Sequence, residues 1–199
     1  GTFDTTIRLN KFINVGAGIN VSGDDDNFPS QRTDRVLIEN NLLLITDPST
    51  GADNRVFQIL RGPQYMTIRH NTAIINGGSS VYIANTNGGL PKGLGIKLQD
   101  NILISSTYGF FANGNQGTAA LTTEFDAQVG TYNVMIFTQP GTYPSPTYTP
   151  ANVAAIGFTN YAGGDYSLTG ASAYHNAASD GADIGCDIAA LNTAISGVV

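Results

Sequence analysis

The chain has 199 residues, a formal net charge of −6, only 12% charged residues, 24 glycines, no tryptophan and one cysteine. That balance argues against nucleic acid and anionic membrane surfaces as partners. The lone Cys186 excludes an internal disulfide, and no apolar run is long enough for a membrane-spanning helix. The length fits one domain, and a composition rich in Gly, Asn and Thr but poor in Lys suits a secreted or cell-surface β protein.

Gly1 leads within a few residues into a predicted strand, Thr5 to Leu9, followed by Asn10 and KFINV. No polar segment precedes that strand to shield it. The sequence therefore predicts a fragment, a processed chain or a subunit, its N-terminal end covered by another protein chain or by missing N-terminal coils. After GINV at 18–21 comes the polar excursion SGDDDNFPSQRTD. Asp24, Asp25 and Asp26 are the one candidate calcium site, and no other cofactor is expected. Calcium takes several oxygens from carboxylates and carbonyls, but the spaced D-x-D-x-D pattern is missing, so a solvated acidic loop competes with it.

Next come VLIENNLLLI from Val36, MTIRHNTAII from Met66 and IKLQDNILIS from Ile96, with TYNVMIF after them. Superimposed, they align Asn10, Asn41, Asn71, Asn101 and Asn133 at steps of 31, 30, 30 and 32 residues. A fixed period of this kind marks a repeat architecture. Val36 and Ile38, Met66 and Ile68, and Ile96 and Leu98 alternate with polar or outward positions, the period of a strand. Leu44, Ile74 and Ile104 recur after the asparagine, and RVFQIL, SVYIA and YGFFA supply a third apolar run in each period. Three strands per period predict an all-β parallel β-solenoid of about five coils, 1–137. A leucine-rich repeat is shorter, a propeller blade needs four strands, and a doubly wound fold needs helices absent between Gly1 and Pro150.

The recurrent asparagine is expected to sit at a bend near the left-handed region, which Asn tolerates. Coils lie about 4.8 Å apart, so the five side chains are expected to stack as a hydrogen-bonded structural ladder. ANGNQGTAALTTEFDAQ, 112–128, is the longest excursion and carries a predicted short helix around Ala119 to Phe125. The stretch 138–152 has four prolines and no charge, and is predicted as an extended cover over an edge. The segment 153–199 supplies a terminal coil and a cap. Asp187 is a predicted N-cap for a helix, Ile188 to Ile195, whose Ile188, Leu191 and Ile195 would plug the last coil.

The stacked strands and asparagines resemble the right-handed parallel β-helix family, the pectate-lyase-like group of secreted proteins. The end resembles that group's closing motif in Ser172, Asn176, Ala177, Asp180, Gly181, Asp183, Ile184, Gly185 and Asp187, without the proline common after the serine. The resemblance implies the right-handed coil and an association with polysaccharide. Stacking also collects Glu39, Arg69, His70, Lys97 and Asp100 into one mixed patch. In a lyase of this fold, Arg69 or Lys97 would neutralise a uronate carboxylate and His70 or Lys97 would remove the C5 proton. Opposite charges pairing on neighbouring rungs is the competing reading. Tyr82, Phe110, Tyr143 and Tyr148 are candidate sugar platforms. The leading expectation is a structural or surface-attachment module that contacts polysaccharide or assembles end to end; the alternative is the C-terminal part of a uronate lyase.

Overall fold

In the computed structural model the described residues are 1–25, 27–28, 30–47, 49 and 53–197. Asp26 of the acidic loop and most of the turn around residue 50 lie outside them. Four successive coils each contribute three strands. They are β1 (Phe3–Arg8), β2 (Lys11–Ile13) and β3 (Ile19–Ser22); β4 (Asp34–Glu39), β5 (Leu42–Ile45) and β6 (Arg55–Leu60); β7 (Gln64–Arg69), β8 (Thr72–Ile75) and β9 (Ser79–Ala84); and β10 (Leu94–Gln99), β11 (Ile102–Ser106) and β12 (Tyr108–Ala112). Equivalent strands pair in parallel, with Ile7 opposite Ile38, Ile38 opposite Ile68 and Ile68 opposite Leu98.

The fold is a parallel β-solenoid of about four turns rather than five. After the fourth coil, β13 (Asn115–Gln116) folds back antiparallel onto β12, and α1 (Thr118–Glu124) follows. β14 (Gln128–Val129) and β15 (Asn133–Phe137) extend the first and second sheets, and β16 (Thr147–Tyr148) adds beyond β15. The third sheet gains no parallel strand there, so the fifth turn never closes.

Inward side chains form one core through Ile38, Leu43, Phe57, Ile68, Val81, Leu98 and Phe110, all at most 1% exposed. At the far end Ala120, Leu121 and Phe125 of the α1 region enter this core, with Phe137 and Tyr143 packed against it. In the first coil, Ile7, Phe12, Val15, Ile19 and Val21 are only partly buried.

Two expectations are corrected. The bend residue in the left-handed region is the one before each ladder asparagine: Leu9 (φ 56°), Asn40 (52°), His70 (49°), Asp100 (60°) and Tyr132 (57°). With the bend taken one position earlier, each of the first four asparagines aims both its N–H and its Nδ2 along the axis at a single oxygen of the next rung. The terminal helix α2 (Ile188–Ala194) starts at Asp187, whose carboxylate accepts from the Ala190 N–H, but it does not plug the last coil. It lies beside the solenoid, where Leu191 and Cys186 bury against Leu42, with Leu9, Leu44, Ile188 and Ile195 around them.

The reason is the second sheet. Its outer column, Ile74, Ile102, Ile104 and Val134, is as apolar as its inner one, so a second layer must cover it. The layer is the C-terminal segment, through Ile156, Tyr174, Ala178 and Ile184. Its hairpin, β17 (Phe158–Asn160) and β18 (Asp165–Leu168), packs Phe158, Tyr166 and Leu168 against the same cluster.

Candidate functional site

The five asparagines form a continuous, directional ladder. Nδ2 of Asn10, Asn41, Asn71 and Asn101 donates to Oδ1 of the next rung at 2.9, 2.9, 3.0 and 2.9 Å. The backbone N–H of each donates to that same oxygen at 3.0 to 3.1 Å. Asn41, Asn71, Asn101 and Asn133 are fully buried.

Beside the ladder, the left-handed residues face the closing motif, which crosses the rungs in reverse. On the fourth coil, Asp100 accepts from the Ser179 N–H (2.7 Å) and hydroxyl (2.6 Å), and its carbonyl accepts from the Gly185 N–H (2.8 Å). On the third, His70 Nε2 lies 3.0 Å from Asp180 Oδ2, its Nδ1 lies 3.2 Å from the Asp183 carbonyl, and Thr72 Oγ1 accepts from the Cys186 N–H at 2.9 Å. On the second, Asn40 Oδ1 accepts from the Asp187 N–H at 3.1 Å. Gly185 (φ 95°) is needed for this passage, because a Cβ there would stand 2.7 Å from Thr72 Oγ1. Burial opposes ionisation of Asp180, but the Ala182 N–H and the His70 ring outweigh it and hold the carboxyl below the ordinary aspartate value. Asp183 Oδ1 accepts from the Asn176 N–H at 2.8 Å and pairs with His175 Nδ1 at 2.7 Å.

The mixed patch is therefore divided. His70 and Asp100 are 7% and 2% exposed beneath the motif. Glu39 links Arg69, at 2.9 Å, to the more distant Arg8 on the preceding coil, at 4.0 Å. Lys97 projects from the outer face of the first sheet, exposed and with no carboxylate in reach among the described residues.

Among the sugar-platform candidates, Phe110 is fully buried and offers no ring face to solvent. Tyr143 packs between Phe110 and Phe137, and Tyr148 packs on Tyr174. Tyr82 is half-buried on the third sheet, with the Arg55 guanidinium 3.7 Å above its ring. In the acidic loop, Asp24 pairs with Arg61, and Asp25 accepts from the N–H groups of Asn27 (2.7 Å) and Phe28 (2.9 Å), which lower its pKa. No cluster of three or more metal-ligating side chains occurs among the described residues. No helix is long and apolar enough to cross a membrane among them either.

Burial pushes the Tyr143 hydroxyl from 10.0 up to about 12 and the Cys186 thiol from 9.0 up to about 12. Both groups stay protonated in the folded chain while the unfolded chain ionises, so stability is lost as pH rises from 9 toward 12. Denaturant midpoints followed across that range are expected to fall steadily; a flat profile refutes the burial of both groups.

Sequence reasoning overlooked two side chains. Glu124 is fully buried at the end of α1, and Tyr65 is 59% exposed on the third coil. The repeat alignment carried a signal for Tyr65, since Asp4, Arg35, Tyr65 and Gly95 fall in one column; nothing local marked Glu124. No family model matches this chain, and neither a curated protein nor a solved structure does.

Proposed function

We propose that this solenoid is a non-catalytic structural or surface-attachment module of a secreted or cell-surface protein, belonging to the parallel β-helix group that it resembles and contacting polysaccharide. The observation that carries the reading is the fate of the ionisable side chains beside the ladder and in the closing motif. His70 and Asp100 are committed to the closing motif, Glu39 to Arg69, and His175 to Asp183. A lyase needs a base and a carboxylate-neutralising cation that are both free to meet substrate. Here His70 holds the C-terminal layer onto the coils and Arg69 is paired with Glu39, so among the described residues Lys97 alone of the candidate groups is unengaged and cannot fill both tasks at once.

The test is ultraviolet absorbance of unsaturated uronate on a panel of uronate polysaccharides, with and without calcium. No product is expected on any of them. Product formation that disappears in Lys97→Gln overturns the reading in favour of a polysaccharide lyase.

A further inference from the structure

The closing motif is held to the coils by a polar seam, and one side chain in that seam meets acceptors on both sides. His70 Nε2 lies 3.0 Å from Asp180 Oδ2, and Nδ1 lies 3.2 Å from the Asp183 carbonyl oxygen. An ionised carboxylate and a carbonyl can only accept. A neutral imidazole carries one N–H, so it bonds one of the two and turns a lone pair on the other. A ring with a proton on each nitrogen bonds both. His70 is 7% exposed, so water is a poor substitute for the bond left unmade.

Carboxylates crowd the ring. Besides Asp180, Asp100 of the fourth coil stands 4.0 Å from Nε2 and is itself bonded by Ser179. Asp183 pairs with His175, and Asp187 caps α2 further along the same cleft. Arg69, next to His70 on its own coil, is paired with Glu39. Under the seam lies the outer column of the second sheet, where Ile74, Ile102 and Ile104 are sealed by Ile156, Tyr174, Ala178 and Ile184.

We propose that His70 is a pH-sensitive clasp: with both ring nitrogens protonated it fastens the closing motif to the third coil, and with one proton lost it lets that motif open from the outer face of the second sheet. The proton favours the closed state, so attachment is full on the acid side and weakens as pH rises between about 5 and 8, the range in which histidines change charge. Burial opposes ionisation of Asp180, but the Ala182 N–H and the His70 ring hold its carboxyl below the ordinary aspartate value, so it stays ionised over that range. The Tyr143 hydroxyl and the Cys186 thiol, both pushed up to about 12, stay protonated over it. The bonds from the Cys186 and Asp187 N–H groups to Thr72 and Asn40 involve no titrating proton. The change is therefore a local opening that uncovers an apolar stripe, with the coil itself intact.

The experiment is amide hydrogen exchange of the whole chain from pH 5 to 8, each rate divided by that of the unfolded chain at the same pH. The amides to follow are those of Ile184, Gly185 and Cys186, which bond to the Tyr174 carbonyl, the Asp100 carbonyl and Thr72 Oγ1. Their protection is expected to fall about tenfold or more toward pH 8, while that of the Asn71 and Asn101 amides holds. His70→Asn is expected to flatten the profile. Asparagine suits the backbone there, since Asn40 occupies the equivalent position with φ 52° against 49° for His70. His175→Asn is expected to keep the fall. In the wild type, ring ¹⁵N shifts are expected to show His70 protonated on both nitrogens at pH 5 and losing one proton over the interval in which protection falls. A flat wild-type profile overturns the clasp, as does a fall that persists in His70→Asn or vanishes in His175→Asn. A His70 ring with a single proton at pH 5 overturns it without any variant. Equal loss of protection in the ladder amides overturns the local opening.

Discussion

Asn71→Ala is expected to lower the unfolding free energy by about 3–5 kcal/mol, since each buried polar group left without a partner costs roughly 1–3 kcal/mol. The Asn71 Nδ2 group donates to Asn101 Oδ1 (3.0 Å) and to the carbonyls of Ile38 (3.0 Å) and Arg69 (2.9 Å). Its Oδ1 receives both the N–H and the Nδ2 of Asn41. Alanine removes the side chain from the middle of the ladder, and water has no route to replace it because Asn41, Asn71 and Asn101 are all fully buried. Asn10 provides the comparison. It stands on the first coil, exposed, and its side chain donates to Asn41 Oδ1 and to the Arg8 carbonyl. Asn10→Ala is therefore expected to cost only a fraction as much. Urea midpoints of the two variants decide the matter; equal losses, or no loss in Asn71→Ala, remove the ladder as a source of stability.

Glu124→Gln is the second large effect, expected at about 3 kcal/mol or more, because hydrogen bonds to a charged group contribute roughly 1.5–3 kcal/mol each. The carboxylate is fully buried, and among the described residues no cation is bonded to it. It accepts instead from four neutral donors: the N–H groups of Asn85 (2.7 Å) and Thr86 (2.9 Å), the Thr86 hydroxyl (3.0 Å) and Asn113 Nδ2 (2.9 Å). Glutamine keeps the shape and replaces one acceptor oxygen with an NH₂ that faces donors. The substitution thus isolates hydrogen-bond polarity from packing. Asn113→Ala, which removes one donor of the four, is expected to be milder. If Glu124→Gln matches the wild type in midpoint, the carboxylate is not what fastens α1 to the third and fourth coils.

These two sites show where legibility begins and ends. The ladder could be read directly, because strand alternation is local and a fixed step of about thirty residues places equivalent side chains on adjacent rungs. The Glu124 cradle could not, since its donors at 85, 86 and 113 belong to loops of unequal length that only the closed coil brings together. The column of positive-φ residues Asp4, Arg35, Tyr65 and Gly95 lay between the two cases. Gly95 and Tyr65 align in the repeat, but whether that column strains or relaxes the backbone depends on the twist of paired strands.

By itself, the sequence determined the coil, its three strands per turn, the buried asparagines and the N-cap of α2, because each depends on neighbours in the chain or on one constant period. The tertiary structure decided the rest. It placed the left-handed residue one position before each asparagine, where both amide donors can reach the same oxygen. It turned the C-terminal segment back along the second sheet, because an outer column as apolar as Ile74, Ile102 and Ile104 must be covered. In doing so it committed His70 and Asp100 to that layer and left Tyr65 and Lys97 facing solvent.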